Sequence, residues 1–366
     1  MLEDIESTIL PRPDKIVSSD LDNVLKHCER EMFDLKGASV LITGGTGFVG
    51  RFIVESLAKY NERNPGLGSR LYLPTRNLRA LQKSMPHLLL DPNIFWFEWD
   101  GVERLSSIVE KCDYVLHGAS EANPSSWQSN AAESMRSGVH LAEAIIDFSA
   151  ERDVKKILYL SSGAAYGLQD ESPLVEHIIG AEPLDKASSS YGETKRFCEL
   201  LFNMSGLPVV TAKLFSFIGP YLNLGASFAI CEFIRDAERD GVIGLKTNGD
   251  SLRTYCYSSD LTIYLLKLLL LGDPGSAYNV GSAGPLVSIR DLAECVAGHF
   301  KGVAVEMVGS GDVGLVARSC YQPDMTRSGK FHLPQVGFSH GVYRTLQSLY
   351  LQGVLRSVPV SDGKEK

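Results

Sequence analysis

Between Ala38 and Leu57 the chain reads ASVLITGGTGFVGRFIVESL, and no other stretch restricts the fold as strongly. Ser39 to Thr43 is a short, mostly apolar run of strand character. Gly44, Gly47 and Gly50 follow at intervals of three, and Phe48, Val49, Phe52, Ile53 and Leu57 then recur at helical spacing. A strand, a glycine turn and a helix in that order present free backbone N–H groups where an anion is stabilised. Gly44 permits the tight turn, Gly47 lets backbone approach a pyrophosphate, and Gly50 lets helix and strand pack closely. A glycine triplet alone is equally a plain turn. With strand and helix both present, it reads as the phosphate-binding corner of a dinucleotide fold, with Gly44, Thr46, Gly47, Phe48, Val49 and Gly50 as cofactor-binding positions.

The rest of the chain repeats this alternation. Strands are expected at Arg70–Pro74, Ile94–Trp99, Cys112–His117, Lys156–Leu160 and Val209–Leu214, with a long helix from Ala131 to Ala150. Asn61 to Ser69 reads as a polar loop. Such alternation predicts an α/β fold, a Rossmann-type doubly wound parallel sheet with helices on both faces. The second half is less regular: helices are expected at Phe228–Ala237, Leu261–Leu271 and Ser288–Phe300, the last capped by Ser288, with a strand at Tyr278–Gly281. Three parts follow: a helical extension at 1–36 carrying an amphipathic helix through Leu21, Val24, Leu25, Cys28 and Met32, a dinucleotide-binding domain at 37–215, and a smaller, mainly substrate-binding α/β region at 216–360 whose chain is partly interleaved with the dinucleotide domain. The last residues, Ser361 to Lys366, are expected to fray.

Composition removes several classes of function. With 44% hydrophobic and 22% charged residues the chain is an ordinary globular protein, and 366 residues can bury a large core. A net charge of −8 argues against a general nucleic-acid surface. No apolar run approaches the ~20 residues that cross a bilayer, and the acidic start MLEDIESTIL lacks the pattern of a signal peptide. Seven cysteines, scattered singly, predict reduced thiols in the cytoplasm, and no His/Cys cluster has the spacing of a metal site.

Arg76 follows the second strand, where an NAD site usually places an acid for the ribose hydroxyls. An arginine suits a 2′-phosphate, which tilts the expectation toward NADP over NAD; a solvated strand-end arginine is the plain alternative. Small residues at Gly118, Ala119 and Ser120 would let a cofactor lie against the backbone. The chemistry concentrates in Tyr191-Gly-Glu-Thr-Lys195, with Ser162 at the end of a core strand. Tyrosine and lysine four apart share a helical face. An ammonium beside a phenol lowers the phenol pKa, so that Tyr191 can carry a sugar hydroxyl proton while hydride moves to or from a nicotinamide, and Ser162 can hold the same oxygen.

On these residues the chain resembles the extended short-chain dehydrogenase/reductase superfamily, in its branch of nucleotide-sugar epimerases and dehydratases. The matching stretches are TGGTGFVG (43–50), Asp100, HGAS (117–120), LSSGAAYG (160–167), YGETK (191–195), IGPY (218–221), RTYCYSSD (253–260) and YNVG (278–281). The resemblance implies that Ser162, Tyr191 and Lys195 are catalytic, that Lys195 also binds the nicotinamide ribose, and that Asp100 lies near the adenine. Arg253 resembles the arginine that grips a substrate diphosphate; an ion pair with Asp250 or Asp260 is its structural alternative. Homodimers through paired helices are common in the family.

Departures from the family narrow the reaction. Where 4,6-dehydratases carry Asp-Glu after the catalytic hydroxyl, this chain has Gly163 and Ala164. Decarboxylases keep a glutamate, and 3,5-epimerase-reductases a cysteine, where Ala164 stands. Hydride transfer at C4 remains, as a 4-epimerase or a 4-ketoreductase acting on a nucleotide-diphosphate sugar; a reductase of non-nucleotide ketones is a more distant reading. Ser216 and Met135 stand where the family often has asparagine, which bears on the substrate contacts. His117 is expected to pack beside the cofactor and Glu176 to fix a loop.

Overall fold

The apolar run Ser39–Thr43 is buried along its whole length and forms an inner strand of a seven-stranded sheet in the computed structural model, which describes residues 13–121, 123–169, 172–309, 320–331 and 333–360. The expected fraying of 361–366 lies outside the described residues. The first part of the chain runs α1 (Lys15–Phe33), β1 (Ser39–Thr43), α2 (Phe48–Arg63), β2 (Arg70–Thr75), α3 (Leu78–Ser84), β3 (Ile94–Glu98) and β4 (Tyr114–His117). It continues with α4 (Pro124–Ser129), α5 (Ala131–Glu151), β5 (Lys156–Ser162), α6 (Ser190–Met204) and β6 (Val209–Leu214). Then come β7 (Phe217–Ile218), α7 (Ala229–Arg239), β8 (Val242–Leu245), β9 (Leu252–Arg253), β10 (Cys256–Tyr257), α8 (Ser258–Leu271) and β11 (Ala277–Val280). The last elements are β12 (Val287–Ser288), α9 (Ile289–Gly298), β13 (Ala304–Met307), β14 (Cys320–Tyr321) and α10 (Phe338–Leu351).

The sheet order is β3-β2-β1-β4-β5-β6-β11 and every pairing is parallel. Side chains alternate across it. Val40 and Ile42 join α1, α2 and α8 in one core with Met32, Ile53, Leu57 and Leu265, while Leu41 faces the opposite core with Val115, Ile145 and Phe202 from β4, α5 and α6. A separate apolar cluster joins α7, α9 and α10 through Ile230, Ile234, Leu292, Val296, Val342 and Leu346.

The N-terminal helix begins earlier than its apolar pattern suggests, because Asp14 caps it and accepts from the Ile16 and Val17 N–H groups at 2.8 and 3.1 Å. It lies against α2 and α8, and its buried Asp20 accepts from Tyr257 Oη at 2.7 Å and pairs with Arg344 of α10. One expected loop is partly helix. α2 runs on to Arg63, and Asn61 is buried within it: its side-chain amide donates to Ser69 O at 2.8 Å and accepts from Ser69 N at 3.0 Å. That paired bond supplies the buried amide with the partners burial demands.

Candidate active site

All seven strands point the same way, so their carboxyl ends form one edge. Following the sheet order, that edge presents Asp100 after β3, Arg76 after β2, Gly44 after β1, Gly118 after β4, Ser162 at the end of β5 and Ser216 after β6. The chain leaves β1 for β2 and β3 on one side and returns through β4 on the other. Between β1 and β4 a crevice therefore opens, the usual ligand position in such sheets.

Gly44 lines that crevice with φ at +76°, and a Cβ there would lie 2.8 Å from the Gly118 carbonyl carbon. A Cβ on Gly50 would lie 2.2 Å from Gly44 O, so only glycine lets the first turn of α2 sit on the loop. α2 starts after Gly47 with no side-chain cap on its N-terminus. Its first-turn N–H groups are thus left without a side-chain acceptor, the arrangement that an anion at a helix start requires. Thr46 is exposed, whereas the Phe48 ring stacks on Phe217 at 5.2 Å and Val49 packs into the sheet core. Those two side chains are therefore turned into the protein, leaving only their backbone at the glycine corner. Ala119 N donates to Thr43 Oγ1 at 3.1 Å, and Ser120 Oγ donates to Glu121 O at 3.2 Å. Arg76 and Asp100 are exposed, Asp100 accepting from Val102 N at 3.0 Å. His117 is buried against Thr43 Oγ1, 2.8 Å away, and stacks on Tyr159; burial, helped by the charge of Lys195, lowers its pKa to about 3 and keeps it neutral.

Ser162, Tyr191 and Lys195 come together beside this crevice. Ser162 Oγ accepts from Ala164 N at 3.1 Å and meets the Tyr191 hydroxyl. Tyr191 and Lys195 lie one turn apart on α6, with the Lys195 ammonium 5.9 Å from the Tyr191 ring centre. Its hydrogen bond goes to Leu160 O, 2.9 Å away. The expected drop in the phenol pKa is not what the geometry gives. Burial raises the Tyr191 pKa and the Ser162 hydrogen bond only partly opposes it, because the ammonium is directed at a carbonyl. The lysine responds instead: burial brings Lys195 down to about 8, against the pull of Cys198 and Glu199.

Several residues that pattern reasoning passed over support this group. Trp127 of α4 meets the Tyr191 ring edge-on at 5.2 Å, and its indole N–H donates to Glu121 O at 2.9 Å. Behind the site, Ser161 bonds Glu199, one turn beyond Lys195 on α6, and Glu199 accepts from the buried Lys213 Nζ at 2.5 Å. The Lys213 ammonium lies 4.7 Å over the Tyr166 ring, and Tyr166 Oη donates to Asn279 Oδ1 at 2.6 Å. This buried chain ties β5, α6, β6 and β11 together behind Ser162, Tyr191 and Lys195. The partners sit on different elements, and no local spacing reveals the chain they form. Glu176 does hold a loop, accepting from Asn279 N at 3.1 Å.

On the substrate side, Ser216 accepts from Cys256 N at 3.0 Å through its carbonyl. Asp260, one alternative partner of Arg253, instead accepts from Val336 N at 2.6 Å, and Asp250 accepts from Asn248 at 2.5 Å. The Arg253 guanidinium lies 5.5 Å from the centre of the Tyr321 ring, and Tyr321 packs on Phe215 at 4.6 Å. Met135, on α5, is 37% exposed. Among the described residues no group of His, Cys, Asp and Glu could hold a metal ion, and no helix is long and apolar enough to cross a membrane.

The chain is similar to UDP-glucuronic acid decarboxylase 6 of Arabidopsis thaliana, with 28% identity over 274 residues, covering 74% of this chain and 76% of that one. Among solved structures it is similar to an epimerase from Methanothermobacter thermautotrophicus, with a TM-score of 0.75 at 22% identity over 90% of this chain and 97% of the other. A UDP-glucose 4-epimerase from Thermotoga maritima superimposes with a TM-score of 0.70 at 21% identity, over 86% of this chain and 99% of its own. The profile of one enzyme family matches residues 40–281, from within β1 to just past β11, and so takes in the glycine corner, Ser162, Tyr191, Lys195 and Arg253. With that match over most of its length, the chain belongs to the NAD dependent epimerase/dehydratase family.

Proposed function

We propose that this enzyme epimerises C4 of a nucleotide-diphosphate sugar with a bound nicotinamide dinucleotide. The observation that carries the reading is the neighbourhood of Ser162: Gly163 and Ala164 place neither carboxylate nor thiol beside the reacting carbon. What the chain does assemble is enough for hydride exchange at a carbinol. The glycine corner fits the cofactor, since a Cβ at Gly50 would collide with Gly44 and the uncapped start of α2 offers its N–H groups to a pyrophosphate. Gly44, Thr46, Gly47, Phe48, Val49 and Gly50 would hold the phosphates, Asp100 the adenine side, and Gly118, Ala119 and Ser120 the crevice wall. When bound, the nicotinamide supplies hydride acceptance and return. Tyr191 takes and returns the sugar hydroxyl proton, Ser162 holds the same oxygen, and Lys195, one turn further along α6, would bind the nicotinamide ribose. Arg253 suits the diphosphate, and Ser162 and Ser216 are the nearest sugar contacts.

The relatives' names, decarboxylases of UDP-glucuronic acid and 4-epimerases of UDP-sugars, support nucleotide sugars as the substrate class. A second reading, an NADPH-dependent 4-ketoreductase, is favoured by Arg76: it is exposed at the end of β2 where no acid stands, which also supports NADP over NAD. The separate apolar cluster of α7, α9 and α10 supports a substrate region at 216–360 beside a dinucleotide region at 37–215. A homodimer through α5 and α6 is supported by Phe197, Leu200 and Met204, which are 48%, 54% and 74% exposed along one side of α6. None of the seven cysteines lies in a disulfide, which supports a cytoplasmic setting. The test incubates purified enzyme with UDP-, dTDP-, CDP- and GDP-hexoses and no added cofactor. Interconversion of C4 epimers supports epimerisation; turnover only of a 4-keto sugar with stoichiometric NADPH replaces it with the reductase.

A further inference from the structure

Strands β7 and β10 form a parallel sheet of their own, two residues each, with Phe217 opposite Cys256 and Ile218 opposite Tyr257. So short a pair has too few ladder bonds to hold its own place. Yet it carries the substrate side: Ser216 directly precedes β7, and Arg253 stands just before β10. The same three-group arrangement fixes it twice, once for each strand. Beyond β7, Tyr221 Oη donates to the buried Glu55 Oε2 at 2.6 Å. Arg51 Nε donates to Glu55 Oε1 at 3.0 Å, and its guanidinium lies 3.5 Å from the centre of the Tyr221 ring. At the end of β10, Tyr257 Oη donates to the buried Asp20 Oδ2 at 2.7 Å. Asp20 pairs with Arg344, whose guanidinium lies 5.8 Å from the centre of the Tyr257 ring.

The first arrangement ties the small sheet to α2, the helix that starts at the glycine corner, where Phe48 also stacks on Phe217. The second ties it to α1 and α10, both of which lie outside the residues 40–281 that match the family profile. Tyr221 holds φ at +68°, a conformation that disfavours a bulky side chain and persists only where its surroundings enforce it. Val17 and Leu21 of α1 and Phe52 of α2 pack with the same ring, so both helices meet at Tyr221.

We propose that Tyr221 and Tyr257 are positioning residues: each phenol anchors one strand of the β7–β10 sheet, and together they hold Arg253 where its guanidinium meets a substrate diphosphate. The proposal rests on the nucleotide-sugar reading above, and it makes α1 part of the frame that supports the substrate side. Each anchor satisfies a buried carboxylate from two directions, by a phenol O–H and by an arginine, so that no charge is left buried and unpaired. A guanidinium grips a diphosphate by parallel hydrogen bonds that tolerate little misplacement. Loosening its support therefore weakens the grip although neither tyrosine touches the ligand.

The test uses Tyr221→Phe and Tyr257→Phe, which keep the rings and release the carboxylates. Tyr278→Phe is the matched control: Tyr278 Oη donates to Asp273 Oδ2 at 2.7 Å with Lys330 beside that carboxylate, in the turn that leads into β11. Calorimetry measures dissociation constants for NAD and NADP, and for UDP, dTDP, GDP and CDP added to the dinucleotide-loaded enzyme, at a temperature where circular dichroism shows each variant folded. For the nucleoside diphosphate that the wild type binds best, Tyr221→Phe and Tyr257→Phe should each weaken binding about tenfold. Tyr278→Phe should bind it as wild type does, and all three should keep their dinucleotide affinity. Lost stability alone would not produce that split, since a folded variant with an undisturbed site keeps its dissociation constants. Arg51→Lys or Arg344→Lys, which keep the charge and lose the planar fork, replaces a phenylalanine variant that does not fold, with a loss in the same direction expected. A variant at either anchor that binds the nucleoside diphosphate as wild type does overturns the role of that tyrosine and leaves the nucleotide-sugar reading standing. An equal loss in Tyr278→Phe, or a matching loss of dinucleotide affinity, overturns the positioning role as well. Wild type that binds neither nucleoside diphosphates nor their hexose conjugates overturns both readings.

Discussion

Tyr191 meets two neighbours of different kinds, the Ser162 hydroxyl and the edge of Trp127. Replacing it with phenylalanine keeps the packing against Trp127 and deletes the proton carrier. Tyr191→Phe should lower turnover ~10²–10⁴-fold while dinucleotide binding, followed by fluorescence titration, stays intact. A variant retaining more than half the wild-type rate would remove Tyr191 from the chemistry. Arg76 carries a different expectation: Arg76→Ala should weaken NADP far more than NAD, because only the 2′-phosphate loses a charge-assisted pair. Equal losses in the two titrations would refute the NADP preference. At this scale the sequence exposes residues whose job is set by short spacing, such as Tyr191 and Lys195 one helical turn apart. Trp127, Lys213 and Tyr321 stayed hidden because each reaches the site from another element. Their type and local pattern say only aromatic or charged. The Tyr191 pKa also escaped, since where an ammonium points is decided by the nearest carbonyl, here that of Leu160.

Elements were legible where a local signal governs them. Ser288 caps α9 as its position suggests, and Asp291 completes the capping box. Asn61 misled because a polar residue inside a helix looks like a loop until its buried partner, Ser69, is in view. Tertiary packing also sets the charge state of α8. Asp260 lies in its first turn, and burial, with the nearby charge of Asp20, raises its pKa to about 6 although the Val336 N–H and Ser259 oppose the shift. The folded-state pKa is above the unfolded value of 3.8, so the ionised carboxylate costs stability above about pH 6. That cost disappears as pH falls through 6 toward 3.8. Asp260→Asn removes the titration. The unfolding free energy of wild type relative to this variant should therefore fall by up to about 3 kcal/mol between about pH 4 and pH 7. Urea unfolding at several pH values measures it, and a pH-independent difference would contradict the buried, ionising carboxylate.

For the molecule as a whole, the doubly wound parallel sheet was readable from alternating strands and helices, and Tyr278–Gly281 was readable as a strand, but its seat beside β6 and the clusters of the second half were not, because their partners are distant in sequence. The exposed apolar side of α6 bears on assembly. Leu200→Glu should convert a dimer into a monomer in multi-angle light scattering while leaving the far-UV spectrum unchanged, since a charge is tolerated in water and not in an apolar interface. A monomeric wild type would dismiss the interface. The position of β11 has a consequence for biosynthesis. Strand β6 receives one edge from β5 early, but its other edge is filled by Ala277–Val280, which follows it by more than sixty residues. Helix α8, which seats α1, also emerges late. A ribosome that has released the chain through Leu214 therefore holds a sheet with a bare, apolar margin and an N-terminal helix that can rest on α2 but not on α8. Translation must advance past Val280 before both are covered, so a pause in that interval lengthens the time during which the nascent chain needs a chaperone.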